Sequence, residues 1–154
     1  MSSSRARSVL VVDDSALIRV VLRDVIAGLE GFEVAGTAAN GREAIDAVRA
    51  LRPDIVTLDV EMPELDGLAA LEAIMRDAPR PVVMLSGAAS EGGVDLTLRA
   101  LELGAVDFVR KDGTAATMAA RLRTALLAAA ATNLGAVRRP TPMRTSAQRR
   151  VVAG

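Results

Sequence analysis

The chain has 154 residues, enough for one domain with a hydrophobic core, and 51% of them are hydrophobic against 25% charged, which excludes an intrinsically disordered protein. It contains no Cys and no His, so disulfides, thiol nucleophiles and histidine-based catalysis or metal binding are excluded. All 19 acidic residues lie between Asp13 and Asp112, whereas seven of the 19 basic residues lie before Ser8 or after Leu134, and the acidic body argues against a nucleic-acid partner.

Short β-branched runs alternate with longer segments of helical periodicity along the chain. The strand-like runs are 9–12, 33–37, 55–58, 82–85 and 106–109. The segment after each run carries apolar residues three or four positions apart, as at Ile18, Leu22 and Ile26, which predicts an amphipathic helix. Five such pairs predict an α/β fold, a doubly wound five-stranded parallel sheet with five helices on its two faces.

The two ends of the chain lack this periodicity. We expect residues 8–133 to form the domain and residues 1–7 to be a disordered N-terminus. Residues 134–154 contain five arginines and helix-breaking Gly and Pro, which predicts a flexible basic tail or a truncated interdomain linker. The first apolar run ends in Asp13-Asp14, and no uncharged run reaches the ~20 residues that a membrane span needs. These features predict a cytoplasmic protein with no membrane partner.

Carboxylates follow two of the predicted strands. Asp13 and Asp14 come directly after the first strand and Asp59 after the third, and in an open parallel sheet ligands bind at the carboxyl ends of the strands. Two carboxylates about 4 Å apart repel by ~4 kcal/mol at the effective dielectric of a partly buried site. Three of them therefore converge most readily around a hard divalent cation such as Mg²⁺. The alternative is that they are loop residues or helix caps, a role that suits Asp14 or Ser15.

Two further polar side chains lie at the same predicted edge. Ser86 ends the fourth strand, and Lys111 follows the fifth. Lys111 is the only lysine beside 18 arginines, which indicates a role that needs a compact ammonium, such as pairing with a phosphoryl oxygen, rather than a planar guanidinium. The alternative is a surface lysine retained by chance.

Four motifs occur in the order and at the separations found in one protein family. They are VVDDS (11–15), TLDVEMPELDG (57–67), MLSG (84–87) and GAVDFVRK (104–111). Together they resemble the receiver domain of two-component response regulators over residues 8–131, which implies the flavodoxin-like receiver fold. Three segments are similar in sequence to the regulatory domain of chemotaxis protein-glutamate methylesterases: VLVVDDSALIR, TLDVEMPELDGL and TLRALELGAVDFV.

The resemblance implies a phosphorylation site. Asp59 would accept a phosphoryl group from the phosphohistidine of a chemotaxis-type histidine kinase. Mg²⁺, or Mn²⁺ in its place, would be bound directly by Asp14 and Asp59, mainly through water by Asp13, and by the backbone carbonyl of Glu61.

The resemblance also implies how the phosphoryl group is held and how the signal leaves the site. Lys111 and Ser86 would each bind a phosphoryl oxygen, after which Ser86 would move toward the phosphate and Phe108 would rotate inward. The face formed by the fourth helix, fifth strand and fifth helix would carry the change to an output domain or effector protein. By the same match, Glu64 and Asp66 are not ligands, and Asp66 shapes the start of the third helix.

One position departs from the family pattern. Receivers usually have a proline after the lysine, often in a cis peptide, whereas Asp112-Gly113 follows Lys111 here. A non-proline cis bond costs ~2.5–4 kcal/mol, so we expect a trans bond, a less firmly fixed Lys111 and competition from the Asp112 carboxylate.

The sequence leaves the output open. The chain is either the regulatory portion of a protein-glutamate methylesterase whose catalytic domain is absent from it, or a free-standing receiver that acts on partners. Without His, the chain itself cannot hold a Ser-His-Asp hydrolase site. A Mg-dependent aspartyl phosphatase is a further alternative, although such enzymes usually need a second Asp two residues after the nucleophile, where this chain has Glu61.

Overall fold

The computed structural model describes residues 6–62, 65–87 and 93–132, which form five strands alternating with five helices. The strands are β1 Arg7–Val12, β2 Phe32–Ala38, β3 Ile55–Asp59, β4 Val82–Ser86 and β5 Asp107–Arg110. The helices are α1 Ala16–Ala27, α2 Gly41–Leu51, α3 Gly67–Asp77, α4 Gly93–Glu102 and α5 Ala115–Ala131. The predicted alternation is confirmed, with strand ends within a residue or two of those predicted.

The strands form one parallel sheet in the order β2-β1-β3-β4-β5. Alternate side chains of each strand point to opposite faces, so Leu10 and Leu58 pack with α2, α3 and α4, while Val9 and Val11 pack with α1 and α5. Both faces are covered by aliphatic side chains, which is why the strands read as continuous hydrophobic runs. The predicted doubly wound, flavodoxin-like sheet is confirmed.

Capping side chains and a close backbone approach fix where α3 begins. Asp66 is the N-cap, and its Oδ1 accepts a hydrogen bond from the backbone N–H of Ala69 at 2.9 Å. A Cβ atom at Gly67 would lie 2.1 Å from the carbonyl oxygen of Asp59 and 2.7 Å from the Cα of Val60. Only glycine lets the helix approach the end of β3 so closely, so Asp66-Gly67 shapes the start of α3, as predicted.

The opposite edge of the sheet is closed by a separate contact. Asp54 Oδ2 accepts hydrogen bonds from Ser8 N at 2.8 Å and Ser8 Oγ at 3.3 Å, which ties the start of β3 to that of β1. Arg7, predicted to belong to the disordered N-terminus, is already part of β1 because its N–H bonds to the Gly31 carbonyl oxygen. The predicted tail at 134–154 and Glu64 lie outside the described residues. Within the described part of the chain, no helix combines the length and the apolar content needed to cross a bilayer.

Candidate functional site

Four strands deliver the predicted site residues to one edge of the sheet. Asp13 follows β1, Asp59 ends β3, Ser86 ends β4 and Lys111 follows β5. These strands are neighbours in the sheet and all point the same way, so their carboxyl ends meet at one place. The structure therefore brings together the side chains that the sequence placed at strand ends.

Main-chain hydrogen bonds hold the backbone just beyond the strands. Asp13 N donates to Ala38 O at 3.1 Å, and Lys111 N donates to Ser86 O at 2.8 Å. Directly after Asp59, Val60 N donates to Leu85 O at 2.9 Å. Each bond continues the sheet ladder by one residue, so the backbone from which these side chains extend is held in place by the sheet.

Three carboxylates converge at this edge. Asp13, Asp14 and Asp59 each offer an oxygen, and these oxygens lie within 4.8 Å of one another. Asp13 is fully buried and Asp59 is 2% exposed, whereas Asp14 is exposed to solvent. Asp13 is oriented by the N–H of Ser15, which donates to its Oδ1 at 3.0 Å, and Ser15 itself caps α1. The cap role that the sequence left open between Asp14 and Ser15 belongs to Ser15, and Asp14 faces the cluster.

The lysine neutralises part of this charge. Lys111 Nζ lies 2.8 Å from Asp13 Oδ2 and 3.2 Å from Asp59 Oδ1. Burial alone would lower the pKa of the Lys111 ammonium, but the hydrogen bond to Asp13 and the charges of Asp13 and Asp59 outweigh it and raise that pKa. Lys111 therefore stays charged inside the site.

Asp59 remains electrostatically strained despite that partner. Burial and, next, the negative charge of Asp13 raise the pKa of Asp59 from 3.8 to about 7, against the opposing effects of Lys111 and of the Glu61 N–H, which donates to Asp59 Oδ1 at 3.3 Å. Lys111 keeps its charge while the Asp59 carboxyl beside it has a raised pKa, although an ion pair should favour the charged form of both groups. The distances explain the difference: the ammonium lies closer to Asp13 than to Asp59, so it offsets only part of the cost of charging Asp59.

This donor set suits a hard divalent cation. Carboxylate oxygens are the ligands that Mg²⁺ prefers, and a cation would supply the positive charge that the raised pKa of Asp59 indicates is lacking. Asp14 is exposed at the mouth of the cluster, beside a cleft of about 530 Å³ that Glu61 and Met62 also line. Asp14 is therefore the carboxylate of the cluster that borders this cleft.

The two predicted switch residues occupy different surroundings. Ser86 is 5% exposed, and its Oγ donates to the carbonyl oxygen of Gly87 at 3.3 Å. Phe108 is half-buried and lines a second cavity, of about 430 Å³, together with Arg121 and Thr124 of α5. Ser86 thus belongs to the acidic edge, while Phe108 is part of β5 and packs against the core on the side of α2, α3 and α4.

Two arginines that the sequence analysis did not single out also support the site. Arg19 Nη1 donates to the carbonyl oxygen of Asp13 at 2.6 Å. Arg121 binds the turn after Lys111, where Asp112 is held by Arg110 and Arg121 rather than by the lysine. The Lys111–Asp112 peptide bond lies within the described residues and is trans, as expected. Nothing in the sequence distinguishes these two residues, because the chain has 18 arginines and both lie on the surfaces of predicted helices.

Comparison with known proteins identifies the family. The family model described as response regulator receiver domain matches residues 9–123. The chain belongs to the response regulator receiver family. Within that family it is similar to the receiver portion of CheB-type chemotaxis protein-glutamate methylesterases.

Individual relatives support the family assignment and the similarity to the methylesterases. A protein-glutamate methylesterase/protein-glutamine glutaminase of Archaeoglobus fulgidus is 49% identical over 134 residues, 84% of this chain and 38% of the relative. Its counterpart in Geobacillus kaustophilus is 55% identical over 103 residues, 67% of this chain and 29% of the relative. The chain therefore spans little more than a third, or less, of these proteins.

Solved structures agree. The response regulator domain of Thermotoga maritima CheB has a TM-score of 0.75 and 42% identity, covering 81% of this chain and 96% of that one. A chain of the CheX-CheY-BeF3-Mg²⁺ complex of Borrelia burgdorferi is a second match, with a TM-score of 0.68 and 34% identity over 79% of this chain and 90% of the other.

Proposed function

We propose that this chain is the phosphorylation-activated receiver of a chemotaxis-type phosphorelay and that Asp59 is its phosphoryl acceptor. The observation that carries the proposal is the position of the Asp59 carboxylate. It is buried at the centre of the sheet edge, clustered with two other carboxylates and 3.2 Å from the only lysine. A buried carboxylate with a strongly perturbed pKa, next to a carboxylate that borders a cleft, is a candidate nucleophile.

The proposed reaction transfers a phosphoryl group between side chains. An oxygen of Asp59 forms a new P–O bond while the P–N bond of a kinase phosphohistidine breaks. The imidazole leaves with that electron pair and takes a proton from water, and Asp59 becomes an acyl phosphate. Lys111 pairs with one phosphoryl oxygen and Ser86 donates to another, so both stabilise negative charge where it accumulates.

Asp14 and Asp59 would hold Mg²⁺, with Asp13 acting mainly through water and the Glu61 carbonyl completing the protein ligands; Mn²⁺ suits the same donors. Bound there, the cation supplies positive charge that offsets the charge of the acceptor and the phosphoryl group. The similar CheX-CheY complex of Borrelia burgdorferi contains both Mg²⁺ and BeF3, which supports the proposal of a Mg²⁺ site in the present chain.

The proposed output uses the face of α4, β5 and α5. Phosphorylation would add about two negative charges next to Ser86, and Phe108, which is half-buried, would then rotate inward. Exposed Leu98 and Leu101 on α4 and Leu127 on α5 give this face apolar surface for a partner. The partners would be a chemotaxis-type histidine kinase and, in a longer protein or a separate one, a methylesterase domain. All of these would act in the cytoplasm.

Phosphorylation of the parent and two variants tests the acceptor. Each protein is incubated with acetyl phosphate and Mg²⁺, and its intact mass is measured over time. We expect one added phosphoryl group in the parent and in Asp46→Asn, which removes an exposed α2 carboxylate, and none in Asp59→Asn. Omission of Mg²⁺ should abolish labelling of the parent.

Two outcomes would contradict the proposal. Equal labelling of the parent and Asp59→Asn would mean that another residue is the acceptor. Steady turnover of a generic phosphoester without a retained phosphoryl group would favour the aspartyl phosphatase alternative.

A further inference from the structure

The turn between Lys111 and α5 contains no proline, whose ring would restrict its backbone. Lys111 is anchored on its N-terminal side by the hydrogen bond to Ser86 O. Beyond it come Asp112, whose φ no ring restricts, and Gly113, whose φ of +86° places it in the left-handed region. Thr114 then caps α5. Another contact must therefore restrain the backbone of this turn.

Arg121 of α5 supplies that restraint. Its Nη1 lies 3.1 Å from the carbonyl oxygen of Arg110 and 3.1 Å from that of Asp112, the residues that flank Lys111. The same nitrogen lies 2.5 Å from Asp112 Oδ1. One Nη carries two hydrogens, so three oxygens share them in branched hydrogen bonds.

Asp112 completes this arrangement from the other side. Its second oxygen, Oδ2, pairs with Arg110 Nη2 at 3.0 Å. The contacts among Arg110, Asp112 and Arg121, here called the Arg121 clasp, tie two peptide groups to the rigid surface of α5: the one before Lys111, through the Arg110 carbonyl, and the one after Asp112. Holding the backbone on both sides of Lys111 restricts the direction in which its side chain leaves the backbone.

We infer that Arg121 is a positioning residue that aims Lys111 at Asp13 and Asp59 by holding the turn that follows it. The inference rests on the proposed function for its consequence in phosphotransfer, but the geometry it describes exists without phosphorylation. Arg121 does not touch the carboxylates and acts only through the lysine.

A surface ion pair is the competing explanation, and it predicts a different pattern. Asp112 and Arg121 are both partly exposed, and exposed ion pairs add little to stability. Loss of an ordinary surface pair would leave Lys111 unaffected. Loss of the clasp should change the position and mobility of the Lys111 side chain and lower the phosphotransfer rate, while leaving the unfolding transition nearly unchanged.

The single lysine makes a direct measurement possible. Biosynthetic labelling with ¹³Cε-lysine gives one signal from Lys111, recorded without phosphodonor. In Arg121→Ala we expect that signal to shift and sharpen toward free lysine, whereas Arg123→Ala, which removes an exposed arginine of the same helix, should leave it in place. Arg121→Lys adds a second lysine signal, and the Lys111 signal should stay near its parent position, because all three contacts use one nitrogen that an ammonium can replace.

Kinetics with acetyl phosphate and Mg²⁺ then test the consequence. Arg121→Ala should be phosphorylated about tenfold more slowly than the parent, as a small misplacement of a catalytic group allows, and Arg121→Lys should recover. In a Lys111→Met background, Arg121→Ala should cause no further loss.

An unchanged lysine signal in Arg121→Ala would overturn the inference, as would an equal slowing in the Lys111→Met background. If the parent is not phosphorylated at all, the proposed function fails, and the lysine signal still decides whether the clasp positions Lys111.

Discussion

Replacement of Asp59 by Asn should stabilise the metal-free domain, and the gain should grow with pH. The pKa of Asp59 rises on folding from 3.8 to about 7, first because of burial and second because of the charge of Asp13. A carboxyl with a higher pKa in the folded chain holds its proton more tightly there, so stability falls as pH rises from about 4 to about 7 and the whole deficit is present above that window. A difference of about three units, at about 1.4 kcal/mol each, gives at most ~4 kcal/mol.

Urea unfolding followed by far-ultraviolet circular dichroism measures this difference without aromatic probes, since the chain has no Trp or Tyr. With EDTA present, the parent and Asp59→Asn should differ by only about 1 kcal/mol near pH ~4.5, and the variant should have a clearly higher midpoint near pH ~8.5. Saturating Mg²⁺ should narrow the gap by stabilising the parent alone. Asp46→Asn serves as the control for loss of an exposed carboxylate.

The reasoning would be refuted by a variant that is no more stable than the parent at the higher pH. A gain of equal size at both pH values would also refute it, because the charge of Asp59 would then not be its source.

Three further substitutions separate the scaffold from the site. Gly67→Ala should cost about 1–3 kcal/mol and weaken Mg²⁺ binding, because the new Cβ meets the Asp59 carbonyl oxygen at 2.1 Å; Gly28→Ala, whose nearest neighbours are 3.6 Å away, is the matched control in urea unfolding and Mg²⁺ titration. Lys111→Met should slow labelling by acetyl phosphate about 100-fold or more, since it removes the ammonium that meets the phosphoryl oxygen, and an unchanged rate would exclude that role. Asp54→Ala should lower the free energy of unfolding by about 1–3 kcal/mol through its lost bonds to Ser8, with unaltered Mg²⁺ affinity; a change in affinity would show that the two edges are coupled.

The sheet and the acidic edge could be predicted because both follow from local pattern. Buried parallel strands need continuous apolar runs, and the topology then decides where their last residues meet. Asp13, Asp59 and Lys111 could therefore be placed together from their positions after strands alone. Lys111 had the further signal of being the only lysine.

The supports of the site could not be predicted in the same way. Arg121 lies eleven residues after Arg110 and is exposed on a helix, where an arginine ordinarily faces solvent. Its role depends on the path of the turn at Asp112-Gly113, which no periodicity describes. For the same reason the sequence suggested competition between Asp112 and Lys111, whereas the folded turn directs the Asp112 carboxylate to Arg110 and Arg121.

The main-chain bonds at Asp13, Val60 and Lys111 have an evolutionary consequence. Because these bonds join peptide groups and do not involve the carboxylates, a descendant could exchange its acids for uncharged residues and keep the same backbone path there. Such a descendant would even be harder to unfold, since mutual repulsion would be gone. Retention of the acids would then reflect selection for their function, against substitutions that would make the domain more stable but inactive.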